Sequence, residues 1–157
     1  MKLSTKCRYG TRAMLDIALN CDKGPVHLKD LAERQKLSVK YLEQIVPGLK
    51  IAGLIHSHRG ASGGYTLAKA TNKIKLLDII EALEGCLITV DCTADPELCA
   101  RSSECAVHDV WSEAQEAMCA VLASITLADL AEQQITKSNI WAKNKARNAA
   151  VVDITQG

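Results

Sequence analysis

The stretch LKDLAERQKLSVKYLEQIVPGL, residues 28–49, decides the fold of this chain. Its apolar residues recur at helical spacing in two short runs, which a tight break near Gln35-Lys36-Leu37 separates. Ser38 can cap the second helix through its hydroxyl. Residues 8–21 have the periodicity of a longer helix that precedes this pair. The pattern therefore predicts a helix-turn-helix unit.

The second helix of this unit has one apolar and one polar face. Its polar face, which we expect to project outward, contains Lys40, Tyr41, Glu43 and Gln44. Pro47 removes a backbone hydrogen bond and clashes with the preceding turn, so we expect a kink or an early end near residue 46. Ser38 and the four polar residues precede that point and are candidates for contact with base edges in DNA.

Two short stretches with strand character follow Gly53, at residues 54–58 and 64–68. Between them, the glycines of residues 59–63 (RGASG) permit a tight reversal. A hairpin behind a helix-turn-helix is a wing, and an arginine at its tip can enter a minor groove. The candidate DNA contacts on the wing are Ser57, Arg59 and Gly60. A plain surface hairpin with a solvated arginine is the alternative.

Composition limits the class of protein. The 157 residues carry a formal net charge of +1, but basic residues clearly outnumber acidic ones within residues 1–50, a footprint compatible with phosphate binding. The N-terminus does not resemble a signal peptide, and the odd number of cysteines, seven, indicates free thiols in a reducing cytoplasm. No hydrolase triad, phosphate loop or carboxylate pair is evident, so we do not expect an enzyme.

A second informative stretch is CTADPELCARSSECAVH, residues 92–108, in which the candidate ligands have the spacing C-x6-C-x5-C-x2-H. These are Cys92, Cys99, Cys105 and His108. Thiolates and imidazole bind zinc and iron–sulfur clusters. Paired C-x2-C knuckles typical of zinc modules are missing from this stretch. The spacing favours an iron–sulfur cluster, while a zinc site and metal-free thiols are the alternatives.

The remaining cysteines and histidines have weaker patterns. Cys21, Cys86 and Cys119 lie in or beside apolar runs, and we expect them to be small core residues rather than ligands. His27, His56 and His58 have no cysteine at ligand spacing. We therefore do not assign these six residues to a metal site.

Four regions follow from these patterns: a DNA-binding domain at 1–85, a cysteine-rich loop at 86–107, a dimerisation helix at 108–134 and a flexible tail at 135–157. The helix from His108 has an apolar stripe of about five turns that a small domain cannot cover, so we expect a two-fold homodimer. Thr126 can cap a last short helix that ends near Gln133, beyond which the periodicity fades.

Several motifs together resemble a known family. They are LSTK with RY and AML in residues 3–15, SxxYLEQ at 38–44, AGLI at 52–55, RGxxGGY at 59–65, the cysteine stretch and ITL at 125–127. This combination, which covers residues 1–134, resembles the Rrf-type family of dimeric winged-helix transcription factors and its IscR-like iron–sulfur regulators. The fold implied is mainly α, a winged helix-turn-helix domain with a two-stranded wing and a long C-terminal dimerisation helix.

The resemblance also implies a ligand set and a function. Cys92, Cys99, Cys105 and His108 would hold a 2Fe–2S cluster that controls DNA preference, with Glu43 as the discriminating residue. Nitric-oxide-sensing relatives hold a 4Fe–4S cluster with an acidic N-terminal ligand from the partner subunit. Here that position is Arg8, which cannot ligate iron, so the 2Fe–2S form is favoured and the 4Fe–4S form is the alternative. Cys7 stands where relatives usually have glycine.

A carrier that transfers electrons or delivers clusters could use the same ligands. Such a protein has no use for Lys40, Gln44 and Arg59 on one surface. The wing and the second helix of the helix-turn-helix, which we call the recognition helix, therefore favour a regulator. The expected partners are an operator in double-stranded DNA and a second copy of the chain, with no membrane.

Overall fold

The computed structural model describes residues 3–60, 63–87 and 90–154, although the side chains of Lys23, Pro96 and residues 143–154 are not described. Within these ranges the fold is mainly helical with one two-stranded antiparallel sheet. The elements are α1 (Thr5–Asn20), α2 (Leu28–Gln35), α3 (Val39–Ile51), β1 (Ile55–His58), β2 (Gly64–Leu67), α4 (Leu76–Glu84), α5 (Asp91–Ala94), α6 (Ala106–Ser124) and α7 (Leu127–Ile154). Single 3₁₀ turns lie at Cys21–Lys23, Thr71–Lys73, Pro96–Leu98 and Ser102–Glu104.

The main core is formed around α1. Met14 and Ile17 of this helix pack with Leu42 and Leu49 of α3 in one buried cluster. Helices α1 and α4 approach closely because residue 10 is glycine: a methyl group there would overlap Leu83 and lie 3.2 Å from Ile45 Cγ2. The core therefore fixes α3 from behind and leaves its opposite face to solvent.

The turn between α2 and α3 has the geometry of a helix-turn-helix. Lys36 adopts a left-handed conformation with φ 54° and ends α2, while the Leu37 amide donates to the carbonyl of Ala32 at 2.9 Å. Ser38 caps α3, since its hydroxyl accepts from the amide of Tyr41 at 3.1 Å. The sequence prediction of this motif is confirmed.

The expected end of α3 near residue 46 is wrong. The helix continues through Pro47 to Ile51. Buried residues on both sides of the proline, Val46 and Leu49, keep the helix on the core. The packing of these two residues offsets the loss of one backbone hydrogen bond.

The wing is the antiparallel pair β1–β2, in which Ile55 faces Leu67 and His58 faces Gly64. The wing is tied to the segment before α2, because Val26 and Tyr65 exchange two backbone hydrogen bonds of 2.9 Å. Glycine is required at residue 64, where φ is +155° and a Cβ would lie 2.6 Å from the Val26 carbonyl oxygen. The wing is therefore held in a fixed position beside the helix-turn-helix.

The first of the two C-terminal helices has the predicted length of about five turns, whereas the second is longer than predicted. Helix α6 ends at Ser124, and the amide of Leu76 donates to the Ile125 carbonyl while that of Leu127 donates to the Ile74 carbonyl, each at 2.8 Å. Helix α7 does not end near Gln133 but continues to Ile154. The prediction of a tail was wrong in this respect, because residues 134–154 contain no proline or glycine that would stop a helix. Within the described residues, no helix is long and apolar enough to cross a membrane.

Candidate DNA interface and cysteine loop

The exposed face of α3 contains three of the predicted contact residues. Lys40, Glu43 and Gln44 are exposed. Tyr41 is only half-buried rather than fully outward, because its ring meets the edge of Tyr9 in α1, with centroids 5.9 Å apart and planes at 88°. Lys40, Glu43 and Gln44 thus form a polar surface on the first two turns of a capped helix, while Tyr41 braces that helix against α1.

The wing presents the other predicted contacts. Ser57, Arg59 and Gly60 are exposed. Gly60 has φ +103°, which a glycine adopts without strain as the chain reverses. Ala61 and Ser62, at the predicted tip, lie outside the described residues. The structure thus places a cationic side chain at the end of β1 on a docked hairpin.

The sequence analysis missed two cations beside the recognition helix. The guanidinium carbons of Arg8 and Arg12 lie 4.7 and 5.5 Å from the centroid of the Tyr9 ring, within the range of cation–π attraction. The ring of Tyr9 in turn contacts Tyr41. The spacing of Arg8, Tyr9 and Arg12 on one helix was a signal that could have linked them.

The cysteine loop is a chain of short turns between α4 and α6. Cys92 lies in α5, and Cys105 directly precedes α6. Cys92, Cys99 and Cys105 are each partly exposed. His108 lies in the first turn of α6, where its amide donates to the Cys105 carbonyl at 2.9 Å. All four predicted ligands are therefore accessible from one loop and the helix that follows it.

The described structure does not gather these four side chains into a metal site. No group of three cysteine, histidine, aspartate or glutamate side chains within the described residues could hold a metal ion. The ring of His108 instead contacts the backbone, as Nε2 donates to the carbonyl of Cys92 at 3.1 Å. The donor types fit an iron–sulfur cluster, and the loop brings Cys92 and His108 together, but the ligands are not preassembled.

The other cysteines fall into two groups. Cys7 is buried at 1% exposure, and burial, with a smaller contribution from Glu84, raises the pKa of its thiol. Cys119 is half-buried against α4. Burial makes the largest contribution to raising the pKa of its thiol, and the charges of Glu81 and Cys86 raise that pKa further. The expectation of core positions is wrong for Cys21 and Cys86, which are exposed, because one follows α1 in a surface turn and the other follows the end of α4.

Comparison with known proteins decides the family. A family profile described as an iron-dependent transcriptional regulator, Rrf2, matches residues 3–133. The chain belongs to the Rrf2 family of transcriptional regulators. It is 45% identical over 130 residues to protein rrf2 of Nitratidesulfovibrio vulgaris, covering 83% of this chain and 87% of that protein. It is 38% identical over 134 residues to the transcriptional regulator IscR of Klebsiella pneumoniae, covering 85% of this chain and 82% of the relative.

Solved structures of Rrf2-family regulators have the same fold. The global cysteine regulator CymR of B. subtilis matches with a TM-score of 0.72 and 39% identity, over 85% of this chain and 98% of that chain. IscR of T. potens matches with a TM-score of 0.69 and 42% identity, over 85% and 88%. The predicted winged-helix class is confirmed, and so is the prediction that this Rrf2 protein is a regulator rather than an enzyme.

Proposed function

We propose that the chain is an Rrf2 regulator that binds a pseudo-palindromic operator as a homodimer and whose DNA preference depends on an iron–sulfur cluster. The observation that carries the DNA-binding part is the exposed polar face of α3 beside a docked wing. Lys40, Glu43 and Gln44 are free to meet base edges in a major groove, and Arg59 to enter the adjacent minor groove.

Helix α6 supports the homodimer. Not one of its nineteen residues is fully buried in the isolated chain. Met118 and Leu122 pack against the domain, whereas Val107, Val110, Trp111 and Val121 are 45–60% exposed. An apolar face of this length on a family regulator needs a partner, and a second copy of α6 supplies one of matching length and chemistry. The dimer would place two α3 helices on one duplex.

Cys92, Cys99, Cys105 and His108 would hold the cluster, favoured as 2Fe–2S. The group supplies a centre whose presence depends on iron, sulfide and oxidants. His108 cannot ligate through Nε2 while that nitrogen donates to the Cys92 carbonyl, so ligation through Nε2 would require this hydrogen bond to break. The conformation of the cysteine loop and of α6 would then differ between the cluster-loaded and the cluster-free protein. Because α6 packs on α4, that difference reaches the DNA-binding domain.

The test is selection of sites from a random-sequence duplex pool by cluster-loaded and cluster-free protein, prepared anaerobically, with absorption spectra and iron and sulfide counts. Two distinct consensus sites are expected, and Glu43→Ala should merge them without changing the spectrum, because a carboxylate favours a cytosine amino group and is repelled by acceptor edges. Identical consensus sites for the cluster-loaded and cluster-free protein would refute the change in DNA preference. If neither form binds DNA, the whole proposal fails.

A second candidate is a regulator that works without a cluster. Two observations favour it: the four ligands are not gathered among the described residues, and a related solved structure is of a cysteine regulator. Colourless protein after anaerobic reconstitution, with intact sequence-specific DNA binding, would select this candidate. A 4Fe–4S cluster would appear in the same experiment as a higher iron count.

A further inference from the structure

A cavity of about 340 Å³ lies between α1, the end of α2 and α7. This volume is in the range of sites that hold small molecules. Leu15 and Leu19 supply apolar lining from α1, Arg12 and Gln35 supply polar lining, and Ser138 lines the cavity from α7. The cavity is separate from the cysteine loop and from the exposed face of α3.

The polar lining carries a surplus positive charge. Asp16, only 5% exposed, accepts three hydrogen bonds at 2.6, 3.0 and 3.1 Å from Arg34 and one at 2.8 Å from Gln35. The negative charge of Asp16 is thereby matched by Arg34. Arg12 is a second guanidinium on the same cavity and forms no ion pair with any acid of the described residues. The cavity thus combines one unmatched cation with leucine side chains.

We propose that this cavity binds a small aliphatic carboxylate. The carboxylate would bind Arg12, whose planar guanidinium suits two parallel hydrogen bonds, and the carbon chain would contact Leu15 and Leu19. Inorganic phosphate could pair with the guanidinium of Arg12, but it has no carbon chain that could contact Leu15 and Leu19. The base of the site is Asp16, whose carboxylate is already bonded to Arg34 and Gln35.

The position of Arg12 links this site to the DNA-reading helix. Its Nε donates to the Gln35 side chain at 3.0 Å, and a terminal nitrogen donates to the Gln35 carbonyl at 3.4 Å. Gln35 is the last residue of α2 before the turn that leads into α3. Arg12 also lies over Tyr9, whose ring contacts Tyr41. A ligand that draws Arg12 away weakens both supports of α3 and lowers DNA affinity.

Binding is tested without DNA, by titrating the full chain with butyrate while following backbone amide resonances. Saturable shifts at residues around the cavity are expected, with none from the neutral isostere butyramide and weaker ones from inorganic phosphate. Arg12→Gln should weaken butyrate binding at least tenfold. Ser138→Glu, which adds a negative charge at the cavity, should do the same. Arg8→Gln is the matched control: it removes the other arginine beside Tyr9 without touching the cavity lining, and should leave binding intact.

Equal butyrate binding by Arg12→Gln and the unchanged chain would overturn the site, as would no saturable binding of butyrate. The link to DNA rests on the proposed function and is measured separately, as operator affinity with and without butyrate at constant ionic strength. Butyrate should lower the operator affinity of the unchanged chain and of Arg8→Gln at least threefold, and should leave the operator affinity of Arg12→Gln unchanged. Unaltered affinity at saturating butyrate overturns the link. If the chain binds no DNA, the proposed function fails while the titration still decides the site.

Discussion

His108 Nε2 lies 3.1 Å from the carbonyl oxygen of Cys92, so one proposed ligand is hydrogen-bonded to the backbone of another. A carbonyl only accepts, which places the proton on Nε2 in this arrangement. A protonated ring nitrogen is not a metal ligand. This hydrogen bond and ligation through the same nitrogen therefore exclude each other.

The ligand set predicts which substitutions remove colour. Cys92→Ala, Cys99→Ala and Cys105→Ala should each abolish the cluster, because each removes a thiolate that water cannot replace. His108→Cys should retain a cluster and release it more slowly, since an anionic sulfur replaces a neutral nitrogen. Visible absorption with iron and sulfide counts after anaerobic reconstitution measures both effects. Cys21→Ala is the control, and a bleached Cys21→Ala beside a coloured Cys99→Ala would show the ligand set to be wrong.

The wing predicts a salt-dependent contribution from Arg59. Arg59→Ala should weaken operator binding by about 1–3 kcal/mol, most on sites with a narrow minor groove, where the negative potential is strongest. It should also reduce the slope of log affinity against log salt by about one. Fluorescence anisotropy at several salt concentrations measures both quantities. Lys69→Ala, an exposed cation just beyond β2, serves as control, and an equal loss for both variants would remove the special role of Arg59.

The close approach of α1 and α4 predicts that Gly10→Ala destabilises the fold. The added methyl overlaps Leu83, and overpacking of this kind costs about 1–3 kcal/mol, more than the helix propensity of alanine returns. Urea denaturation measures the change in free energy of unfolding. Leu83→Ala by itself should lower the free energy of unfolding. In the double variant with Gly10→Ala it removes the overlap, so the double variant should lose less stability than the sum of the two single changes. Simple additivity of the two changes would contradict the packing described here.

The start of α7 predicts a pH-dependent contribution from Asp129. This carboxylate accepts from the amide and the hydroxyl of Thr126 at 2.8 and 2.7 Å, and these bonds lower the pKa of Asp129 below its ordinary value of 3.8. Because the folded pKa is depressed, the stabilisation is present above about pH 4 and is lost as pH falls through the folded pKa.

Asp129→Ala should therefore lower the melting temperature at pH 7, and the difference from the unchanged chain should shrink as the pH falls below about 4. Melting followed by circular dichroism between pH 2 and 7 tests this. Glu132→Ala removes an exposed carboxylate on the next turn of the same helix and should have little effect. A gap in melting temperature that does not narrow as the pH falls below about 4 would refute the assignment.

Local signals in the sequence predicted the elements that depend on local chemistry. The cap at Ser38 and the reversal between β1 and β2 each follow from one or two residues with strong conformational preferences. Such positions are readable because the physics that decides them is confined to a few neighbours in the chain.

Tertiary packing decided the features that the sequence did not reveal. Pro47 lies inside a helix because buried residues on both sides of it pack in the core. Tyr41 is half-buried because its ring packs against the ring of Tyr9 in α1. Cys21 has helical spacing with the core but lies just past the last turn of α1 and is exposed. Spacing alone also does not show whether Cys92, Cys99, Cys105 and His108 lie together, and among the described residues they do not form a metal site.

The proline in α3 leaves one backbone acceptor of this helix without its usual donor. Pro47 carries no amide hydrogen, so the carbonyl of Glu43 receives no bond from the residue four positions ahead. Leu42 and Val46 before the proline and Leu49 after it are all buried in the core, so side-chain packing holds the helix on both sides of this gap. The orientation of the DNA-facing end of α3 is therefore set by the hydrophobic core, and a core substitution far from the DNA surface can change how that end meets an operator.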